Sequence, residues 1–211
     1  MFTGPEPTVR RTVRRDGSSA IMMISLRTRT ACRVAATVLG MGVTAAVLPA
    51  AAHAATPSYD TWRADVQAAM SGGTAWLDQR KQQGGERLAI VLDIDNTALQ
   101  TDYRPGTATP EVLDFARHAK DIGFAVLFAS YRTNADSATA AVTAVGYPVD
   151  AMCPRTPRTA RHATDSKQAC RSKYAAEGYT ITANVGNRPG DFTGGDYEKA
   201  FKLPDYDETL Q

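Results

Sequence analysis

Residues 88–101 read LAIVLDIDNTALQT. Five apolar residues, Leu88 to Leu92, run on without interruption, and the carboxylates Asp93 and Asp95 then flank Ile94. An unbroken apolar run of this length fits a strand covered on both faces. Burying an unpaired carboxylate is expensive. Two carboxylates this close also repel each other and push their pKa values apart. A strand that ends on such a pair implies a cation or a reaction that uses both.

Working outward, residues 58–83 have helical spacing, with Trp62, Val66, Met70 and then Trp76 on or near one side. Gly72-Gly73 breaks this stretch into two helices and Gly84-Gly85 ends it. Downstream, strand and helix patterns alternate. A helix is predicted over 109–123, with Thr109 as N-cap, Pro110 at the first helical position and Gly123 at the stop. FAVLFAS (124–130) is a second buried strand, 134–146 a helix closed by Gly146, and YPVDAMC (147–153) a short third strand. A helix over 165–178 stops at Gly178, YTITANVG (179–186) is a fourth strand, and 199–204 fits a fifth. Such alternation with short connections predicts an α/β fold, a parallel sheet with helices on both faces. Right-handed crossovers make it doubly wound. Ligands in these sheets bind at the carboxyl ends of strands, where Asp93, Ser130 and Gly186 fall. Asp95 and Pro110 are only 15 positions apart, and the stretch from Ser130 to Lys167 is also short, so little or no cap domain is expected.

The first quarter reads differently. Arg27, Arg29 and Arg33 precede an apolar stretch from Val34 to Leu48, and Ala52-His53-Ala54 follows. That order predicts a secretory signal peptide cleaved after Ala54, within a leader over 1–54, and a single domain over 55–211. The apolar run falls short of the roughly 20 residues that span a bilayer, so no stable membrane anchor is expected and the protein is expected to be secreted. The leader holds seven Arg and two acidic residues, which leaves 17 basic and 20 acidic groups, net −3, in the rest. No basic domain remains to argue for nucleic acid. Of the three cysteines, Cys153 and Cys170 lie outside the leader. In an exported protein they pair or stand as two separate buried thiols. Neither has a spacing suited to zinc.

Four groups of residues carry chemistry. Asp93 and Asp95, followed by Thr97, sit at the first strand end. Ser130 closes the second strand, where its hydroxyl and the next backbone N–H can hold a phosphate oxygen. Lys167, early in the last helix, can place a positive charge beside Asp93. Asp191, after Gly186, supplies another hard oxygen for magnesium. In this order DIDNT, ASYR, SKQACRSKYAAEGY and GNRPGD resemble the four motifs of haloacid-dehalogenase-like (HAD) phosphohydrolases. More narrowly, they resemble the secreted acid phosphatases grouped with plant vegetative storage proteins, the class B-like branch. The resemblance runs from Trp62 to FKLPDY.

The resemblance implies a Rossmann-like core, a small-molecule phosphomonoester as substrate and Mg2+ as cofactor. It makes Asp93 the nucleophile that forms an aspartyl-phosphate and Asp95 the general acid and base. Thr97 would orient the Asp95 turn, and it stands with Ser130, Tyr131, Arg132 and Lys167 among the substrate-binding residues. Asp93, the Asp95 carbonyl, Asn187 and Asp191 would hold the metal. One position departs from the family: Asn187 stands where most members have the first aspartate of GDxxxD. An amide oxygen still ligates magnesium but brings no charge, and lipin-type phosphatidate phosphatases also carry a GNRxxD pattern. A catalytically weak storage or phosphate-ester-binding protein on the same scaffold is the rival reading. Arg132 either pairs with an acidic neighbour or touches substrate. Arg155, Arg158, Arg161 and His162 form either an anion-attracting rim or a solvated loop, and Tyr103 either contacts substrate or packs.

Overall fold

The apolar run at 88–92 forms β1 (Leu88–Leu92), the middle strand of a five-stranded, all-parallel sheet in the order β3-β2-β1-β4-β5. The other strands are β2 (Ala125–Ser130), β3 (Ala151–Pro154), β4 (Thr180–Gly186) and β5 (Lys199–Lys202). The helices are α1 (Tyr59–Met70), α2 (Gly73–Gln82), α3 (Pro110–Asp121), α4 (Ala135–Ala144) and α5 (Ala163–Ala176). This is a computed structural model that describes residues 56–156 and 163–210, within a unit spanning Ala51–Gln211. The expected leader and its cleavage site lie outside the described residues, as do Arg158, Arg161 and His162.

The period of two along β1 sorts its side chains between two cores. Leu88, Ile90 and Leu92, with Ile94 beyond, join Trp62, Val66, Val112, Phe115 and Val142 in the larger one, beneath α1 to α4. Ala89 and Val91 join Leu127, Cys170 and Tyr174 in the smaller one, beneath α5. Helices on both faces explain why β1 is apolar at every position. β4 contains a bulge: Ala89 pairs with Ile181 and Ile90 with Ala183, so Thr182 is the extra residue. Its hydroxyl donates to the carbonyl of Ala89. The bulge reverses the alternation, leaving Ile181 in the smaller core and Ala183 and Val185 in the larger.

Two local expectations change. Thr109 occupies the N-cap position of α3, but its side chain makes no capping bond and its buried hydroxyl has no partner. β3 starts at Ala151, not at Tyr147. Pro148 has no N–H to give a ladder, and the buried Tyr147 hydroxyl donates to the carbonyl of Ala98, 2.8 Å away. Tyr103 packs: its ring stacks on Trp62 at 4.9 Å and its hydroxyl donates to the carbonyl of Pro57. Cys153 and Cys170 are bonded, tying β3 to α5. Among the described residues no helix is long and apolar enough to cross a membrane.

Candidate active site

The chain leaves β1 through α3 to β2 on one side, and returns from β3 through α5 to β4 on the other. The carboxyl ends of β1 and β4 therefore flank the switch point where such sheets bind ligands. Asp93 follows β1 directly, and its N–H donates to the carbonyl of Val185 at 2.9 Å, so its backbone stays on the β1–β4 ladder. The chain then turns, with the N–H of Leu99 donating to the carbonyl of Ile94 at 2.8 Å. Asn96 has a left-handed backbone, φ 52°, which Asn tolerates better than most residues. Its side-chain oxygen accepts from the N–H of Asp102.

Lys167 reaches this turn from α5. Its side chain is 2% exposed, and Nζ donates to Asp93 Oδ1 and, at 2.6 Å, to Asp191 Oδ1. One buried ammonium thus faces two buried carboxylates. Burial pushes the Asp93 carboxyl up to about 7; Lys167 opposes the shift and Asp191 adds to it. Burial lowers the Lys167 pKa, but the two carboxylates outweigh it and the ammonium is held above its ordinary range. The site has an excess of negative charge when both acids are ionised.

Thr97 donates to Asp93 Oδ2 at 3.1 Å, not to the Asp95 carboxylate. Asp95 is held elsewhere. Arg132 donates to both of its oxygens, and the Thr101 hydroxyl to Oδ1 at 2.8 Å. Against the upward push of burial, these bonds keep Asp95 below the usual carboxylate range. Arg132 therefore pairs with an acidic neighbour. Ser130 is buried at the end of β2, and its Oγ accepts from the N–H of Arg132 at 3.1 Å. The half-buried Tyr131 ring lies 4.7 Å from Lys167 Nζ. Asp93, Thr97, Tyr131, Lys167, Asn187 and Asp191 thus form one connected cluster beyond the carboxyl ends of β1 and β4, with Ser130 at the end of the neighbouring β2 and Asp95 paired to Arg132.

On the β4 side, Asn187 and Asp191 are both buried. Asn187 Oδ1 lies 3.5 Å from the Thr97 hydroxyl, and its Nδ2 has no hydrogen-bond partner. Asp191 Oδ2 accepts from the N–H of Arg188 at 2.9 Å. Three contributors were not singled out from sequence for what they do here. Gly186 leaves room for Asp191, because a Cβ there would overlap its carboxylate. Asn184, a polar residue inside the apolar β4 run, donates to the carbonyl of Asp191 at 2.8 Å. Arg171 is buried one helical turn after Lys167. The signal for Asn184 was its polarity in a buried strand.

A family model described as HAD superfamily, subfamily IIIB (acid phosphatase), matches residues 101–209. That segment includes Ser130, Lys167, Asn187 and Asp191, and it begins just after the turn that carries Asp93 and Asp95. No curated protein matches the chain. Five parallel strands in this order and a matched segment covering more than half of the sequence lead to one conclusion: the chain belongs to HAD superfamily subfamily IIIB, and is a phosphoric monoester hydrolase of the acid phosphatase family.

Proposed function

We propose that the chain is an exported, magnesium-dependent acid phosphatase that cleaves small phosphomonoesters in two steps through a phosphorylated Asp93. The observation that carries this reading is Lys167 held between Asp93 and Asp191 at the switch point, with Asp95 one residue beyond the intervening Ile94.

In the first step a carboxylate oxygen of Asp93 attacks phosphorus, and the bond from phosphorus to the ester oxygen breaks. A proton from the Asp95 carboxyl goes to the departing oxygen, giving the alcohol. In the second step Asp95, now a carboxylate, takes a proton from water as its oxygen attacks phosphorus. The acyl-phosphate bond breaks, Asp93 is restored and inorganic phosphate leaves. The net reaction is ester plus water to alcohol plus phosphate. Lys167 opposes the upward push of burial on the nucleophile and offsets charge on the phosphoryl oxygens. Ser130 and the backbone beside it bind a phosphoryl oxygen, and the Tyr131 ring borders the site. Arg132 holds Asp95 ionised before substrate arrives. A bound phosphoryl group gives the guanidinium a second anion to pair with, which loosens its grip and lets Asp95 take up a proton.

The donors fit a hard divalent cation. Among the described residues no three His, Cys, Asp or Glu side chains form a group that could hold a metal ion, and the Asp95 carboxylate is paired with Arg132. The buried oxygens of Asp93, Asn187 and Asp191 nonetheless converge, and the excess negative charge favours a cation. Magnesium would be held by Asp93, the Asp95 carbonyl, Asn187 and Asp191, and would supply positive charge to the phosphoryl oxygens. Turnover of p-nitrophenyl phosphate after EDTA treatment and magnesium replacement tests this. Full activity in the metal-stripped protein would overturn the magnesium requirement. Export rests on the order of Arg27–Arg33, the apolar stretch and Ala52-His53-Ala54. N-terminal sequencing of the secreted protein is expected to begin at Ala55.

A further inference from the structure

Arg171 is 1% exposed, and burying a guanidinium without matched partners is expensive. Its hydrogen bonds run to main-chain carbonyls of one loop. Nη1 donates to Asp191 at 2.5 Å, Nη2 to Thr193, and Nε to Gly195 at 2.7 Å. The Tyr197 ring lies 5.5 Å away, and its hydroxyl closes the loop by donating to the carbonyl of Phe192. Alternate carbonyls of residues 191–195 thus turn inward onto one planar fork. A lysine has the charge but not the fork.

Lys167 and Arg171 are four residues apart on α5, so they share a face. Lys167 grips the side chain of Asp191 and Arg171 grips its carbonyl, which Asn184 also holds. We propose that Arg171 is a positioning residue that shapes loop 188–197 and thereby presents Asp191 to Asp93 and Lys167. This role rests on Asp191 acting in the site as proposed above.

The test compares wild type, Arg171→Lys, Asp191→Asn and the double variant, with p-nitrophenyl phosphate at saturating magnesium. Amide hydrogen exchange is followed in the metal-free proteins. Arg171→Lys is expected to lose about 10- to 100-fold in kcat, the usual cost of removing a residue that supports a ligand, with a smaller change in KM. Because Arg171 acts through Asp191, the double variant is expected to be no slower than Asp191→Asn alone. Amides of residues 191–197 should exchange faster in Arg171→Lys while those of β1 and β2 keep their rates. Wild-type kcat, unchanged loop exchange, or losses that multiply in the double variant would each overturn the proposal. If Asp191→Asn alone keeps wild-type kcat, the reading of Asp191 fails, and this role fails with it. Should Arg171→Lys not fold, Gly195→Val decides. Gly195 has a positive φ and open space at its Cβ, so valine displaces an acceptor carbonyl without touching Arg171. It is expected to lower kcat and speed loop exchange, and wild-type behaviour there would equally overturn the proposal.

Discussion

Arg132 engages both carboxylate oxygens of Asp95, Nε at 3.0 Å from Oδ2 and Nη2 at 2.7 Å from Oδ1. The two residues are 37 positions apart and meet because β1 and β2 are neighbours in the sheet. A bidentate pair of this kind fixes orientation as well as charge. It holds Asp95 beside Asp93 while leaving Asp93 to Lys167.

Asp95→Asn keeps the shape and removes the proton carrier. p-Nitrophenolate needs little protonation to leave, so the first step should survive and the second should stall. A burst of one p-nitrophenol per enzyme is expected, then turnover lower by roughly 10²- to 10⁴-fold, the usual contribution of general acid–base catalysis. Rapid-mixing absorbance measures both phases. A wild-type steady-state rate would remove Asp95 from the chemistry.

Asp93→Asn should abolish turnover and also stabilise the metal-free protein at neutral pH. The folded carboxyl is raised to about 7, chiefly by burial, so between the ordinary aspartate pKa and about 7 the folded state binds more protons than the unfolded one. Wild-type stability therefore falls as pH rises through that window and levels off above it. The asparagine variant lacks this loss. Its advantage in Tm should be small near pH 4, grow up to pH 7 and then stay constant. Thermal melts across that range check the trend, and an advantage that shrinks with rising pH would contradict it.

Asn187→Asp adds a negative charge where the amide oxygen lies near Thr97. A further anionic ligand strengthens attraction for a hard cation, so the magnesium requirement should fall even if kcat does not rise. Asn187→Leu removes the oxygen and should raise the requirement strongly. Magnesium titrations of activity in the three proteins check this, and coincident curves would remove Asn187 from the ligand set.

Gly186→Ala places a methyl where the Asp191 carboxylate now sits. The cost of such overpacking is about 1–3 kcal/mol of stability. Activity should fall more than stability alone explains, because the displaced group is the partner of Lys167. Denaturant unfolding and kcat measured on the same preparation separate the two effects.

The Cys153–Cys170 bond spans a sequence separation of 17 residues. Closing a loop of that size stabilises by roughly 3 kcal/mol in the chain-entropy account. The double serine variant should lose about that much in urea unfolding. Its effect on activity should be modest, since Lys167 and Arg171 retain their own partners on either side of Cys170.

The alternation of strand and helix, the glycine stops and the apolar run ending in Asp93 were legible because each depends on residues near one another in the chain. Hydrophobic period and turn chemistry are local, so they fix an α/β class without reference to neighbours. The positions of Ser130, Lys167, Asn187 and Asp191 were legible for the same reason: each lies at or near an element's end. Pairing is another matter. Whether Arg132 met Asp95 turned on which strands became neighbours, and whether the two cysteines met each other turned on how α5 packs beside β3. The extra residue at Thr182 turned on register between β1 and β4, and it places Asn184 at the Asp191 carbonyl. The burial of Arg171 turned on a loop folding back over α5. These contacts close long stretches of chain, and only packing of the whole sheet selects them.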